Sequence, residues 1–439
     1  MYNQFFTNFR RCRRSNLIVF RSENALKRLI LLILLAALCM PAASASVPHT
    51  RDEVRNAYLN INDWWDESPY AEPPSVTAPY RTGAIHEGAL SDAVDYLNFL
   101  RWLAYIDAPV SLSRIYDFQC QHGAVLLAAL DRVSHDAPPA EGMDRDFYES
   151  AHNATLSGNI AKFNWMRPSI IREGVEYFIR DDGDVNLPVL GHRRWALNPL
   201  MGSTGFGLAN SESGMSYVVM YAHDFGNAGA DWTKVCWPSE GAFPADFMHA
   251  DLAWSVSLNP DIYDVTLCTP IITLKELESG LSFRFDPVTG NSDGFCAYSM
   301  ESYGAGPCLI FRPDLSEAGF SDYQQNQRWQ VTVNGLYDVN GKFSPIEYTV
   351  EMISLFPQDP VNVEISDLEA TVSIGDTLAL SANVIPAYAD DLSVTWKSSD
   401  ESVAIVDENG FVTAIAPGYC DIIASSANGR EDYCVLTVE

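Results

Sequence analysis

The sequence predicts an α+β head followed by two all-β sandwich domains, and three observations carry that reading. Apolar residues recur with helical spacing between Ser91 and Arg180. After His192 the period changes to that of strands. From Trp237 to the end of the 439-residue chain, short β-rich runs alternate with Gly, Pro, Asn and Asp clusters. Helices first and strands after, without regular alternation, argue for helices packed on a mostly antiparallel sheet.

The first segment reads as an export signal, residues 1–45. Arg10, Arg11, Arg13, Arg14, Arg21, Lys27 and Arg28 form a basic n-region. "LILLILLAALCM", Leu29 to Met40, is the apolar h-region, too short for a comfortable membrane span. Ala43-Ser44-Ala45 supplies an A-x-A cleavage site. Cys39 follows Leu38, where a lipoprotein signal needs a small residue. Cleavage after Ala45 takes the formal charge from -29 to about -35, leaving 21 basic against 56 acidic residues. Such a chain repels nucleic acid and anionic lipid, so neither is an expected partner. The mature chain keeps Cys120, Cys236, Cys268, Cys296, Cys308, Cys420 and Cys434, an odd and scattered set without CxxC. That is neither a dense disulfide framework nor a thiolate zinc site.

Residues 46–90 form an N-terminal extension with one short helix near "RDEVRNAYLNI". Ser91 caps a helix running to Ile106, with Val94, Leu97, Leu100, Arg101 and Ala104 on its buried face. A second helix spans Ser113 to Val133 with a wide apolar stripe. "LSGNI", Leu156 to Ile160, reads as a loop, and a further helix runs from about Ser169 to Arg180. "GSTGFGLA" and "SYVVMYAHDF" are strands joined by the turn "NSESG". The head thus occupies 91–230, a β-sandwich 236–356, and a last β-domain 361–439. In that last domain Trp396 should fill the core, and Asn409-Gly410 and Asn428-Gly429 should make tight turns. The second turn puts Cys420 and Cys434 on neighbouring strands, in reach of a disulfide.

Two resemblances sharpen this reading. Gly375, Leu380, Pro386 and "VTWKSSDESVAIVDENGFVTAIAPG", Val394 to Gly418, resemble the bacterial Ig-like group 2 domain. That resemblance implies a spacer or adhesion module on a bacterial surface protein. "LNFLR", Leu97 to Arg101, "CQHGAVLLAA", "VSHDAP", "VEYFIRD" and "LGHRRW" follow the order of motifs in the CAP superfamily (cysteine-rich secretory, antigen 5 and pathogenesis-related 1 proteins), in its bacterial secreted branch. The resemblance covers about Asp92 to His223. It implies an α-β-α sandwich with a cleft holding two histidines and two acids. By motif the histidines are His135 and His192 and one acid is Asp181. Gly158 stands where the second acid of the family's "G-E-N-I" would be, so the tetrad is incomplete here.

The residues can also be weighed without the family. Two imidazoles and a carboxylate suit zinc, with His135 and His192 as ligands, but a hydrolase also needs a base beside the metal-bound water. Asp182 or Glu173 would have to substitute at Gly158. No HExxH and no G-x-S-x-G are present. The structural alternatives are a helix-end histidine for His135, a packed loop histidine for His192, and a solvated turn for Asp181, Asp182 and Asp184. On that view Arg193 and Arg194 neutralise these acids, Trp195 and His122 are core residues, and His223 faces the same cleft. Gly191, Gly205 and Gly207 would allow close backbone approach around His192, and Gly158 would leave room for a carboxylate. Two functions follow: a secreted or cell-surface, non-enzymatic head binding an extracellular ligand or protein, with association to the cell wall; or a metal-dependent extracellular hydrolase or peptidase using the His135/His192 cleft.

Overall fold

The computed structural model describes residues 47–61, 64–183, 185–301, 303–304, 306–316 and 318–439. The export signal and Asp184 lie outside the described residues. Six described helices are labelled here: α1 (Arg51–Asn60), α2 (Glu87–Leu103), α3 (Arg114–Leu130), α4 (Arg145–Ser157), α5 (Ile170–Arg180) and α6 (Gly191–Ala196). Helix α1 starts on a capping box in which Thr50 and Glu53 satisfy each other's backbone N–H groups. Ser113 caps α3 as the sequence suggests. Helix α2 begins earlier than expected: His86, not Ser91, is its N-cap, accepting the N–H of Gly88. Helix α4 replaces part of the expected loop. Asp144 accepts two N–H groups at its start, and its buried stripe consists of Ala151, Ala154 and Thr155, too small to read as an apolar period.

A three-stranded antiparallel sheet forms the middle layer of the head, in the order Gly158–Phe163, Ser216–Tyr221, Phe206–Asn210. Its two faces alternate as a pleated strand requires. Tyr217 and Val219 pack with Leu127 of α3 and Ala154 of α4 in one core. Val218 and Met220 pack with Leu100 of α2 and Phe178 of α5 in another. Helices therefore cover both faces, and the sheet is antiparallel as the sequence predicts. Gly207 makes this layering tight: a Cβ there would sit 2.0 Å from the Cys120 carbonyl oxygen of α3. The strand runs directly beneath the helix backbone.

Two facing sheets follow. One has the order Gly294–Ser299, Cys308–Pro313, Trp254–Leu258, Lys234–Trp237; the other Ser282–Phe285, Ile271–Glu276, Arg328–Asn334, Ile346–Ile353, Gly241–Pro244. Strand Gly241–Pro244 begins at the end of the 238–241 Pro/Gly cluster and pairs parallel to the last strand, Ile346–Ile353. Trp237, Trp254 and Trp329 are fully buried between the sheets. This core does not stop at the sandwich. A single apolar cluster runs from Val54 of α1 through α2 and α5 to Leu355.

The C-terminal region closes a core of its own around Ile422, Ala424, Cys434 and Leu436. Its four-stranded sheet has the order Glu369–Val372, Glu431–Val438, Gly418–Ser426, Val394–Ser398. Both expected turns are present, with Gly410 and Gly429 at positive φ. Trp396 is only partly buried, packed against the core rather than filling it. The reason is position: it lies on the edge strand Val394–Ser398. Cys420 and Cys434 do lie on neighbouring strands, but Cys420 is opposite Leu436 and Cys434 opposite Ile422. That diagonal offset is long for a disulfide, and both are free thiols.

Candidate functional site

The junction of α4 with the following strand gathers the segments that carry the histidines. Thr155 O accepts from His135 Nδ1 at 2.7 Å, and Thr155 Oγ1 donates to His135 O at 2.9 Å. Ser157 O accepts the N–H groups of Ala222 and His223 at 3.0 and 3.1 Å. Asn159 Nδ2 donates to His192 O at 2.9 Å. Residues 155–159 thus fasten three chain segments, and Thr155 and Asn159 are the positioning residues that sequence reading missed. "SGNI" was visible, but an asparagine bonding to a distant backbone oxygen leaves no local pattern.

His192 sits on the short helix α6 and is partly buried, as expected. Its Nδ1 lies 2.9 Å from Asp181 Oδ1. The Asn186 carboxamide is 3.1 Å from the same nitrogen. Asp181 Oδ2 accepts the backbone N–H groups of His192 and Arg193 at 3.0 and 3.3 Å. Asp181 is therefore a buried carboxylate, not a solvated turn residue, its side chain fully enclosed. It caps α5 in the left-handed conformation, φ 49°. A carboxylate can only accept, so Nδ1 donates to Asp181 and the ring orientation is fixed. Asp182 instead pairs with Arg180 at 3.2 Å. Glu173 is held by Trp165 Nε1 and Ser169 Oγ at 2.8 and 2.9 Å. Neither replaces the missing acid.

Among the described residues neither the Arg193 nor the Arg194 side chain forms an ion pair with an acid; both bond to backbone and hydroxyl oxygens instead. Arg193 Nε and Nη2 donate to Ile179 O and Arg180 O at 2.6 and 2.8 Å, the carbonyls at the end of α5. Its Nη1 reaches Ala253 O at 2.6 Å and Ser255 Oγ at 3.3 Å in the sandwich. Arg194 spans to Ser299 Oγ at 2.9 Å and Glu301 O at 2.6 Å. Burial lowers the Arg193 guanidinium to about 10, with Asp181 opposing that shift. From the other side Arg101, also buried, donates to Ala196 O and Asn198 O at 3.1 and 2.8 Å. The arginines of "LNFLR" and "LGHRRW" thus hold α6 at both ends. Gly191 admits a neighbour, as its lack of a side chain suggests: a Cβ there would stand 3.0 Å from the Tyr303 ring.

His223 lies on Trp195, ring centroids 4.1 Å apart. Trp195 is one helical turn beyond His192, partly buried and packed against the main apolar core. Desolvation lowers the His223 pKa, and His135 adds to that shift, so the two imidazoles feel each other. His122 is structural as expected, buried with Nδ1 2.7 Å from Phe118 O. Gly158 leaves no room for a carboxylate. A Cβ there would lie 2.7 Å from Ala154 O and 2.9 Å from Met220 O, both backbone atoms. Gly158 therefore supplies no metal ligand, and Asp181 is already committed to His192 and two N–H groups. Among the described residues no group of three or more His, Cys, Asp or Glu side chains is placed to hold a metal.

The comparisons with known proteins define one part of the chain. Residues 361–435 match the bacterial Ig-like domain (group 2) family, a domain type that occurs typically in extracellular or surface proteins. Lacto-N-biosidase of Bifidobacterium bifidum is 45% identical over 64 residues, 15% of this chain and 6% of that protein. A 3-O-alpha-D-galactosyl-alpha-L-arabinofuranosidase of Bifidobacterium longum subsp. longum is 44% identical over 61 residues, 14% of this chain and 5% of that protein. The chain spans only a small fraction of these relatives' length. Among solved structures, an intimin mutant of EHEC O157:H7 shows 19% identity over 17% of this chain and 45% of that chain, with a TM-score of 0.15. Among the described residues no helix is long and apolar enough to cross a membrane.

Proposed function

We propose that this is a secreted or cell-surface bacterial protein whose CAP-like head is a non-enzymatic binding module for an extracellular ligand or protein, carried with a β-sandwich and an Ig-like tail. The observation that carries the reading is the Asp181–His192 pair, fixed 2.9 Å apart on a helix that also presents Trp195. A pre-oriented imidazole beside an aromatic wall suits recognition: Nε2 takes a hydrogen bond and the indole takes an apolar surface. The layered order of helices and sheet supports the CAP resemblance, and the Ig-like tail supports a surface location. A metal-dependent hydrolase would need a further donor or base at Gly158, where backbone oxygens fill the space.

Co-sedimentation with purified peptidoglycan tests the proposal. The chain from residue 46 onward should be retained. A His135→Ala, His192→Ala double variant should lose most of that retention, and a chain ending at residue 356 should keep it. Equal retention of wild type and double variant would overturn the cleft as the binding site. Hydrolysis of the wall material, lost in the double variant, would overturn the non-enzymatic reading.

A further inference from the structure

A cavity lies between the 82–90 segment and the first two turns of α3, and neither His135 nor His192 lines it. Its volume is about 190 Å³. Its apolar surface comes from Ile85, Leu90 and Phe118. Phe118 is 58% exposed, an unusual position for a phenylalanine on a helix whose other face is fully buried. Gln121 makes one wall rigid: its carboxamide donates to Thr82 O and Leu208 O and accepts the Leu208 N–H, at 2.7 to 2.8 Å.

Two opposite charges line the same space. Asp117 Oδ1 accepts the N–H of Phe206 at 2.9 Å. Among the described residues no hydrogen bond reaches its Oδ2. Burial raises this carboxyl to about 6, although the Phe206 N–H and Arg114 both act to lower it. Arg114 stands at the mouth one helical turn earlier. It is almost wholly exposed, and its nearest acid is Glu87 at 3.7 Å. Such an exposed pair contributes little and is readily exchanged for another carboxylate.

The cavity's size limits what can enter. Sites for drug-sized molecules run from about 300 Å³ upward, so an acyl chain or an oligosaccharide is too large. A carboxylate in apolar surroundings gains most from an ammonium group, which restores its ionised form. A guanidinium one turn away takes a carboxylate. We propose that this cavity binds a free α-amino acid with an aliphatic side chain. Its ammonium meets Asp117 Oδ2, its carboxylate displaces Glu87 from Arg114, and its side chain lies on Leu90 and Phe118. This site is independent of the His192 cleft.

Titration calorimetry of the full chain with L-leucine tests the proposal, with 4-methylpentanoate and isoamylamine as single-charge analogues. Leucine should bind at least about tenfold more tightly than either analogue, one factor of ten being about 1.4 kcal/mol. Asp117→Asn keeps an oxygen for the Phe206 N–H and should weaken leucine by about tenfold or more. Arg114→Ala, at an exposed position that cannot endanger the fold, should do the same. Absence of leucine binding at millimolar concentration would overturn the proposal. So would an analogue that binds as tightly as leucine, or an Arg114→Ala variant that binds unchanged.

Discussion

The C-terminal region and the body of the molecule close their cores in different ways. Residues 361–439 bury Ile422, Ala424, Cys434 and Leu436 within one small set of strands. The body joins helices α1, α2 and α5 to the β-sandwich through one apolar cluster from Val54 to Leu355. Its buried arginines then cross the same boundary. Arg193 ties the end of α5 to Ala253 O, and Arg194 ties α6 to Ser299. The difference teaches that the sandwich is not a passive stalk. Through these bonds it holds the helix that bears His192 and the end of α5 that bears Asp181. The tail is attached by fewer groups: Arg55 reaches Asp390 Oδ1 at 2.7 Å, and Gln358 N–H donates to Asp390 Oδ2 at 2.9 Å.

This contrast can be broken in several places. The largest effect is expected from truncation. A chain ending at residue 233 exposes the apolar faces that α2 and α5 present to the sandwich, and should fail to fold by circular dichroism. The isolated 361–439 segment should fold alone. Next comes Arg193→Ala, which strands three backbone carbonyls and removes the clamp on α5. Breaking such a buried polar cluster should destabilise the body by about 3–5 kcal/mol in denaturant titrations, while the tail transition stays put. Gly158→Glu drives a Cβ against two backbone oxygens. It should cost about 1–3 kcal/mol and give no gain in zinc affinity by calorimetry.

The smaller effects concern the tail. Asp390→Ala should weaken docking by about 1–3 kcal/mol and show as a larger radius of gyration in X-ray scattering. Acid should act at the same point. Burial pushes the Asp390 carboxyl up, but Arg55, the Gln358 N–H and Arg51 outweigh it and hold the carboxyl below its ordinary 3.8. The contact therefore stabilises above pH 3.8 and is lost as pH falls through the lower folded value. Scattering should show tail docking constant at neutral pH and loosened in that acid window.

The same contrast explains what could be read in the sequence. In the tail, Asn409-Gly410 and Asn428-Gly429 each specify a turn, and alternating residues specify the strands, so local rules suffice. Trp396 and the Cys420–Cys434 pair depart from expectation, since neither a strand's place at a sheet edge nor its register against the neighbouring strand is a local property. In the body, α3 and the α5 segment were visible from their apolar stripes. Helix α4 was not, because Ala151, Ala154 and Thr155 bury small surfaces. His135, Asp181 and His192 can be picked out by motif. The roles of Arg193 and Arg194 cannot, because their partners are carbonyl and hydroxyl oxygens distant in sequence, up to 112 residues away. Gly158 was misread as open space, since the approach of Met220 O depends on strand pairing across the sheet.

The helical layers and the middle sandwich should unfold as one cooperative unit. Differential scanning calorimetry of residues 46–439, beside the isolated 361–439 segment, tests it most directly. The account predicts two transitions, one coinciding with the isolated tail and one carrying both the helices and the sandwich. Arg193→Ala should lower only the second. Separate transitions for the helical layers and the sandwich, or a folded chain ending at residue 233, would contradict it.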